Sequence, residues 1–249
     1  MEEQKWIIIL CLRVRGICRQ FGQKGKKTVH HKKLADGGEV IVWETGRAGE
    51  EAASYENLFL RKEIAGFRTN IRREQSCSIK SLTRDYLYKQ LLSSGEYTFD
   101  HMLVIKDPYG EAPLTALALF ILEEPACVRV TTKGNLKETD FVTELPKKKE
   151  HRVPILGMYA EKANDIVIEI LDDEGNCVKS RTFTIRTKRL PKSLRNVITV
   201  KKWTDKPAYS NIMINGGVKI HTCVFDIEGK IRYYLSRKPR GYGIFPLSD

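Results

Sequence analysis

Fourteen residues constrain this chain more than any others. Asp107 to Phe120, read Asp-Pro-Tyr-Gly-Glu-Ala-Pro-Leu-Thr-Ala-Leu-Ala-Leu-Phe, set a rigid turn directly before an apolar run. Pro108 fixes φ near the value wanted at the second position of a turn, and Gly110 can take positive φ without steric cost. Asp107 is placed to cap that turn through its carboxylate. Pro113 lacks the donor that a central ladder needs and so marks a strand entrance. Leu114 to Leu122 then supplies nine residues without a charge, which fits a sandwich-core strand or a short helix.

The pattern around this stretch favours strands. Seven candidates follow one another from Tyr97: Tyr97–Lys106, Leu114–Leu122, Ala126–Thr132, Thr139–Leu145, His151–Leu156, Asp165–Leu171 and Val178–Thr187. Turn-forming clusters separate them, among them Glu123-Glu124-Pro125, Lys133-Gly134-Asn135 and Asp172 to Asn176. Val128 and Val130, and Ile166, Ile168 and Ile170, alternate with polar residues as one buried face of a strand does. Short strands at this spacing predict an immunoglobulin-like all-β sandwich over residues 96–188.

Upstream, the apolar residues from Leu58 to Leu91 recur mostly at three or four, with no proline. That period predicts one or two amphipathic helices over 55–95, broken near Ser76–Ser78 and ended by Ser93-Ser94-Gly95. Residues 1–54 are rich in Gly, Lys and Glu and show one short strand-like segment, Val40–Trp43, so a poorly ordered, loosely attached basic lead-in is expected there. Trp6–Leu12 is too short for a bilayer span and has no clean cleavage site after it, so no membrane span and a degenerate or absent export signal are expected. Gly22 to Thr28 fails the Walker spacing, and His30-His31 has no further ligand beside it.

The net charge of +12 attracts polyanions non-specifically. Much of it sits in Arg13–Lys33, Lys147–Arg152 and Arg186–Lys202, without a nucleic-acid-binding motif, so solvated loops and no specific nucleic-acid partner are expected. The six cysteines are widely spaced with no CxxC pair, which argues for buried thiols over a disulfide framework or a zinc site.

Several landmarks together resemble the N-terminal part of the bacterial aryl-sulfate sulfotransferases. They are Pro108-Tyr109-Gly110 with Ala112 to Ala116; His151, Pro154 and Leu156 to Tyr159; Asn164 to Ile170; Arg186-Thr187 and Leu190-Pro191; and Asp226, Gly229 and Ile231 to Tyr234. The resemblance runs over residues 95–249, and residues 1–55 carry none of it. It implies the same sandwich fold, followed from 189 by a linker and the first strands of a β-propeller. Val218–Phe225 and Lys230–Leu235 flank the turn Asp226–Gly229 and predict that first hairpin. Tyr233 stands where the family has tryptophan.

The resemblance also implies an activity for the complete protein: transfer of a sulfuryl group from a phenolic sulfate ester to a phenol through a sulfo-histidine. The histidines and arginine of that chemistry belong to later blades and map onto no position here. No catalytic, cofactor-binding or metal-ligating residue is therefore assigned. His101, His151 and His221 are expected to be structural or at the surface rather than catalytic, since none has a second histidine or a Ser or Cys partner nearby in a recognisable arrangement. Arg232 and Tyr233-Tyr234 are expected to pack within the blade rather than face a channel.

Two readings of function follow. In the first, the chain is an N-terminal fragment of an aryl-sulfate sulfotransferase, catalytically silent alone, with one hairpin of a propeller that cannot close and a homodimer through the sandwich as its residual association. The second is a stand-alone sandwich that binds a protein or glycan, with the terminal hairpin packed back on it. Relatives are often exported or periplasmic, and the sequence leaves the location of this chain open.

Overall fold

The structure, a computed structural model, describes residues 29–56, 73–195, 211–214 and 221–236. The apolar run 6–12, the lysine-rich segment 22–28, the part 57–72 of the expected helices and the segment 203–209 lie outside the described residues. The chain is mainly β with an immunoglobulin-like sandwich, as the strand pattern predicts.

A long hairpin forms the spine of this fold. Strand β4 (Ala116–Thr132) runs antiparallel to β5 (Phe141–Ile155) over its whole length. Four of the expected strands have thus fused into two. Glu123-Glu124-Pro125 is a bulge inside β4 rather than a turn, because the register shifts between Ile121 and Ala126, with Pro146 next to the matching shift in β5. A proline without a donor fits a bulge as well as it fits a turn.

Away from β5, the two halves of β4 have different partners. Leu117–Leu119 pairs with β3 (His101–Lys106), and Cys127–Thr132 pairs with β6 (Ala163–Leu171). The sheet therefore divides at the bulge and curls into two wings. One continues from β3 to β2 (Glu39–Trp43) and β1 (Val29–Lys33), and the other from β6 to β7 (Cys177–Arg186). Val40, Met102 and Val104 of one wing meet Ile166, Ile168, Phe183 and Ile185 of the other in a shared core. At the rim, Lys32 donates to the Thr184 hydroxyl, and Arg181 donates to Asp36 at 2.5 Å and to Asp100.

The expectation of a loose lead-in over residues 1–54 is corrected for 29–53. Strand β2 is inserted between β1 and β3, parallel to β3, with Val40 opposite Met102. Val40 enters the sandwich core, while Ile41 and Trp43 face the other way against two helices. These are α1 (Thr45–Ala53) and α2 (Arg73–Ser93), which bring Ala48, Ala52, Leu87, Tyr88 and Leu91 onto that outer face. The β2–β3–β4 wing is thus buried on both sides, which explains why β3 and the start of β4 are apolar without alternation. Helix α2 continues through Ser76–Ser78, where a break was expected; serine lowers helix propensity only slightly when no Gly or Pro accompanies it. It ends as predicted, with Gly95 at φ +70°.

The Asp107–Gly110 turn joins the two layers. Asp107 sits at φ +45°, Gly110 at φ +75°, and the Asp107 carboxylate accepts from the Ala112 N–H at 2.9 Å. From α2, Arg84 and the Tyr88 hydroxyl both donate to the Pro108 carbonyl.

A second, antiparallel sheet contains β8 (Asn211–Ile214), β9 (Cys223–Asp226) and β10 (Ile231–Tyr234), in the order β10-β9-β8. The β9–β10 hairpin forms around Asp226–Gly229 as predicted and packs back on the sandwich: Cys223, Ile231 and Tyr234 belong to the same core as Met158 and Leu194. Cys127, Cys177 and Cys223 are free thiols, buried at Cys223 and exposed at Cys177. No helix among the described residues is long and apolar enough to cross a membrane.

Candidate functional site

The densest polar cluster lies where the hairpin meets the sandwich. Its scaffold is the turn itself. Asp226 Oδ1 accepts from the N–H groups of Glu228 and Lys230, both at 3.0 Å, and Gly229 takes φ +74° to let the chain reverse. The other carboxylate oxygen, Oδ2, is left to face the sandwich. There it accepts from the Tyr159 hydroxyl at 2.8 Å and from Arg232 Nη1 at 3.2 Å.

Arg232 is inserted into the sandwich side. Its Nε donates to the Gly157 carbonyl at 2.6 Å, its Nη1 to the Thr139 carbonyl at 2.7 Å and the Tyr159 hydroxyl at 3.0 Å. The guanidinium carbon lies 4.0 Å from the centroid of the Tyr159 ring, close enough for a cation–π contact. Arg232 is 1% exposed and Asp226 0%. Burial pushes the Tyr159 hydroxyl above its ordinary pKa, so it stays a donor to Asp226 at neutral pH.

Tyr159 is in turn fixed from behind. Its N–H donates to Asn164 Oδ1 at 2.7 Å, and its carbonyl accepts from Asn164 Nδ2 at 3.0 Å and from the Thr187 hydroxyl. A further link joins the end of the hairpin to the first turn, where the Ser236 N–H donates to the Glu111 carbonyl at 2.7 Å. Landmarks that are dispersed in the sequence, Gly157, Tyr159, Asn164, Thr187, Asp226, Gly229 and Arg232, thus converge on one socket. Sequence reasoning named these residues without bringing them together, and placed Arg232 in blade packing. It does pack, but against the sandwich.

The three histidines lie apart. His101 Nδ1 is 3.1 Å from Glu39 Oε2, and the other oxygen of that carboxylate, Oε1, lies 2.9 Å from His31 Nδ1. His151 is buried, stacked on Phe120, with Nε2 2.8 Å from the Lys148 carbonyl, and desolvation holds its pKa below the ordinary value. His221 Nδ1 lies 2.7 Å from the Leu235 carbonyl. No group of three or more potential metal ligands occurs among the described residues. In the socket, Arg232 Nε and Nη1 are taken by protein groups, while the buried Nη2 has no hydrogen-bond partner among the described residues; the arrangement can hold two sheets in fixed relation.

Fold and socket together define a β-sandwich module that carries a docked β-hairpin. Residues 103–188 match the family model described as the arylsulfotransferase Ig-like domain. This segment of the chain is an arylsulfotransferase N-terminal domain. No curated protein matches the chain.

Proposed function

We propose that the described part of this chain is the scaffold of an aryl-sulfate sulfotransferase: the sandwich and the hairpin locked to it orient the first strands of a β-propeller in which sulfuryl transfer from a phenolic sulfate ester to a phenol takes place. In this reading the sandwich spans 96–188, residues 189–249 are the linker and first propeller strands, and the sandwich is silent in catalysis. The observation that carries the reading is the match of residues 103–188 to the arylsulfotransferase Ig-like domain; the Arg232 socket, which ties β10 to Thr139, Gly157 and Tyr159 of that domain, suits this reading and is also what a stand-alone sandwich would show. A rigid joint of that kind serves a protein whose next domain must be held at a set angle.

The reading includes self-association through the sandwich. The test is to assay the purified chain with 4-nitrophenyl sulfate as donor and phenol as acceptor, and to measure its mass by sedimentation equilibrium. No release of 4-nitrophenol and a reversible dimer are expected. Turnover by the chain alone would overturn the scaffold reading.

A further inference from the structure

Arg232 stands where the register of the β9–β10 ladder slips. Ile231 is opposite Phe225 and Tyr233 is opposite Val224, so the residue between them is a bulge. A regular strand would turn Ile231 and Arg232 to opposite faces, whereas here both are buried. The bulge thus re-aims the guanidinium into the sandwich.

Once there, the guanidinium is only partly used. Nε donates to the Gly157 carbonyl, and Nη1 to the Thr139 carbonyl, the Tyr159 hydroxyl and Asp226 Oδ2. Nη2 is buried and has no hydrogen-bond partner among the described residues. A charged N–H that is closed off from solvent and left without an acceptor keeps its whole desolvation penalty, and in folded proteins such groups are paired with protein or with an ordered water.

Geometry and charge narrow the choice of acceptor. Nε and Nη2 lie side by side on the guanidinium with parallel N–H bonds, so whatever accepts from Nη2 is a neighbour of the Gly157 carbonyl. Arg232 Nε occupies one of the two lone pairs of that carbonyl, and the second can accept from a donor beside it. Asp226 already balances the charge of Arg232 at 3.2 Å, with both side chains closed to solvent. An anion on Nη2 would therefore leave a buried net negative charge, and a neutral acceptor that can also donate leaves none.

We propose that one buried water completes the socket, accepting from Arg232 Nη2 and donating to the Gly157 carbonyl. The contact between hairpin and sandwich is then wet at this place, and the water is a fixed part of it. The proposal stands apart from the sulfuryl-transfer reading and can fail without it.

The test uses the whole chain: a high-resolution crystal structure, a second crystal grown in bromide, and cross-relaxation between water and the Arg232 side-chain N–H protons by NMR in solution. A single density peak within hydrogen-bond reach of both Nη2 and the Gly157 carbonyl oxygen is expected, with no anomalous signal from bromide and a cross-peak to a slowly exchanging water. A carbonyl or carboxylate of the chain seated on Nη2, a bromide peak there, no density at that place, or the absence of the cross-peak would each overturn the proposal.

Discussion

Asp226 and Arg232, at the two ends of one hairpin turn, form an ion pair at 3.2 Å that is closed to solvent on both sides. Such a pair is weak evidence for net stability, since desolvation offsets much of the attraction, but removing one partner leaves the other charged and buried. Arg232→Leu is therefore expected to destabilise the chain by about 3–5 kcal/mol in urea titration. Arg232→Lys should recover only part of this, because an ammonium lacks the planar fork that serves two carbonyls, a carboxylate and a ring face together. A loss below about 1 kcal/mol for Arg232→Leu would mean that the hairpin is not anchored through this residue.

Gly157 supplies a carbonyl to Arg232 and also takes φ +74°, where a Cβ would meet Phe141 Cβ at 2.7 Å. Strain and collision act together there. Gly157→Ala should cost about 2–3 kcal/mol, whereas Gly175→Ala, at φ +85° with nothing within 4 Å of the new Cβ, should cost about 1 kcal/mol. Thermal unfolding of the two variants side by side checks the difference; equal losses would remove Phe141 from the account.

How much of this was legible in the sequence depends on how local its physics is. The Asp107–Gly110 turn and the Asp226–Gly229 hairpin were readable because a proline or an aspartate and a glycine specify their own backbone. The bulge at Glu123–Pro125 was misread as a turn because what distinguishes the two is the partner strand with Pro146. Strand β1, Val-His-His-Lys-Lys, has no apolar face of its own and is ordered by β2, whose other neighbour, β3, begins at His101. The socket was the least legible part. Arg232 looks like one residue in an ordinary strand until Thr139 and Gly157, 93 and 75 positions away, supply their carbonyls.

His151 gives the stability a defined dependence on pH. Burial holds its folded pKa below the ordinary 6.5, so in the unfolded chain it takes up a proton first as the pH falls. Its effect is absent above about 6.5, grows as the pH drops from there to the depressed folded value, and levels off below it. The unfolding free energy of the wild type should thus fall with acidification in that window. His151→Gln, which can keep a bond to the Lys148 carbonyl, should flatten this part of the curve even if it is less stable throughout. Parallel curves for the two proteins would show that other groups set the dependence.

Val40, Ile41 and Trp43 reach both cores from residues outside the matched domain, and Arg181 of β7 reaches back to Asp36 and Asp100. Full burial of each such apolar side chain is worth about 1.5–3 kcal/mol, so losing three approaches the whole stability of an ordinary domain, about 5–15 kcal/mol. A polypeptide that starts at residue 96 also leaves β3 as a bare apolar edge. It is expected to be aggregated or without a cooperative melt. The rim contact can be tested in the full chain by Gly38→Ala, whose Cβ would lie 1.8 Å from Arg181 Nη1 and so displaces the guanidinium from its two carboxylates. Faster hydrogen exchange confined to β1, β2 and β7 is the expected result. If the polypeptide from residue 96 melts cooperatively at the temperature of the full chain, β1 and β2 are dispensable and the two-sided burial of this wing does not govern its stability.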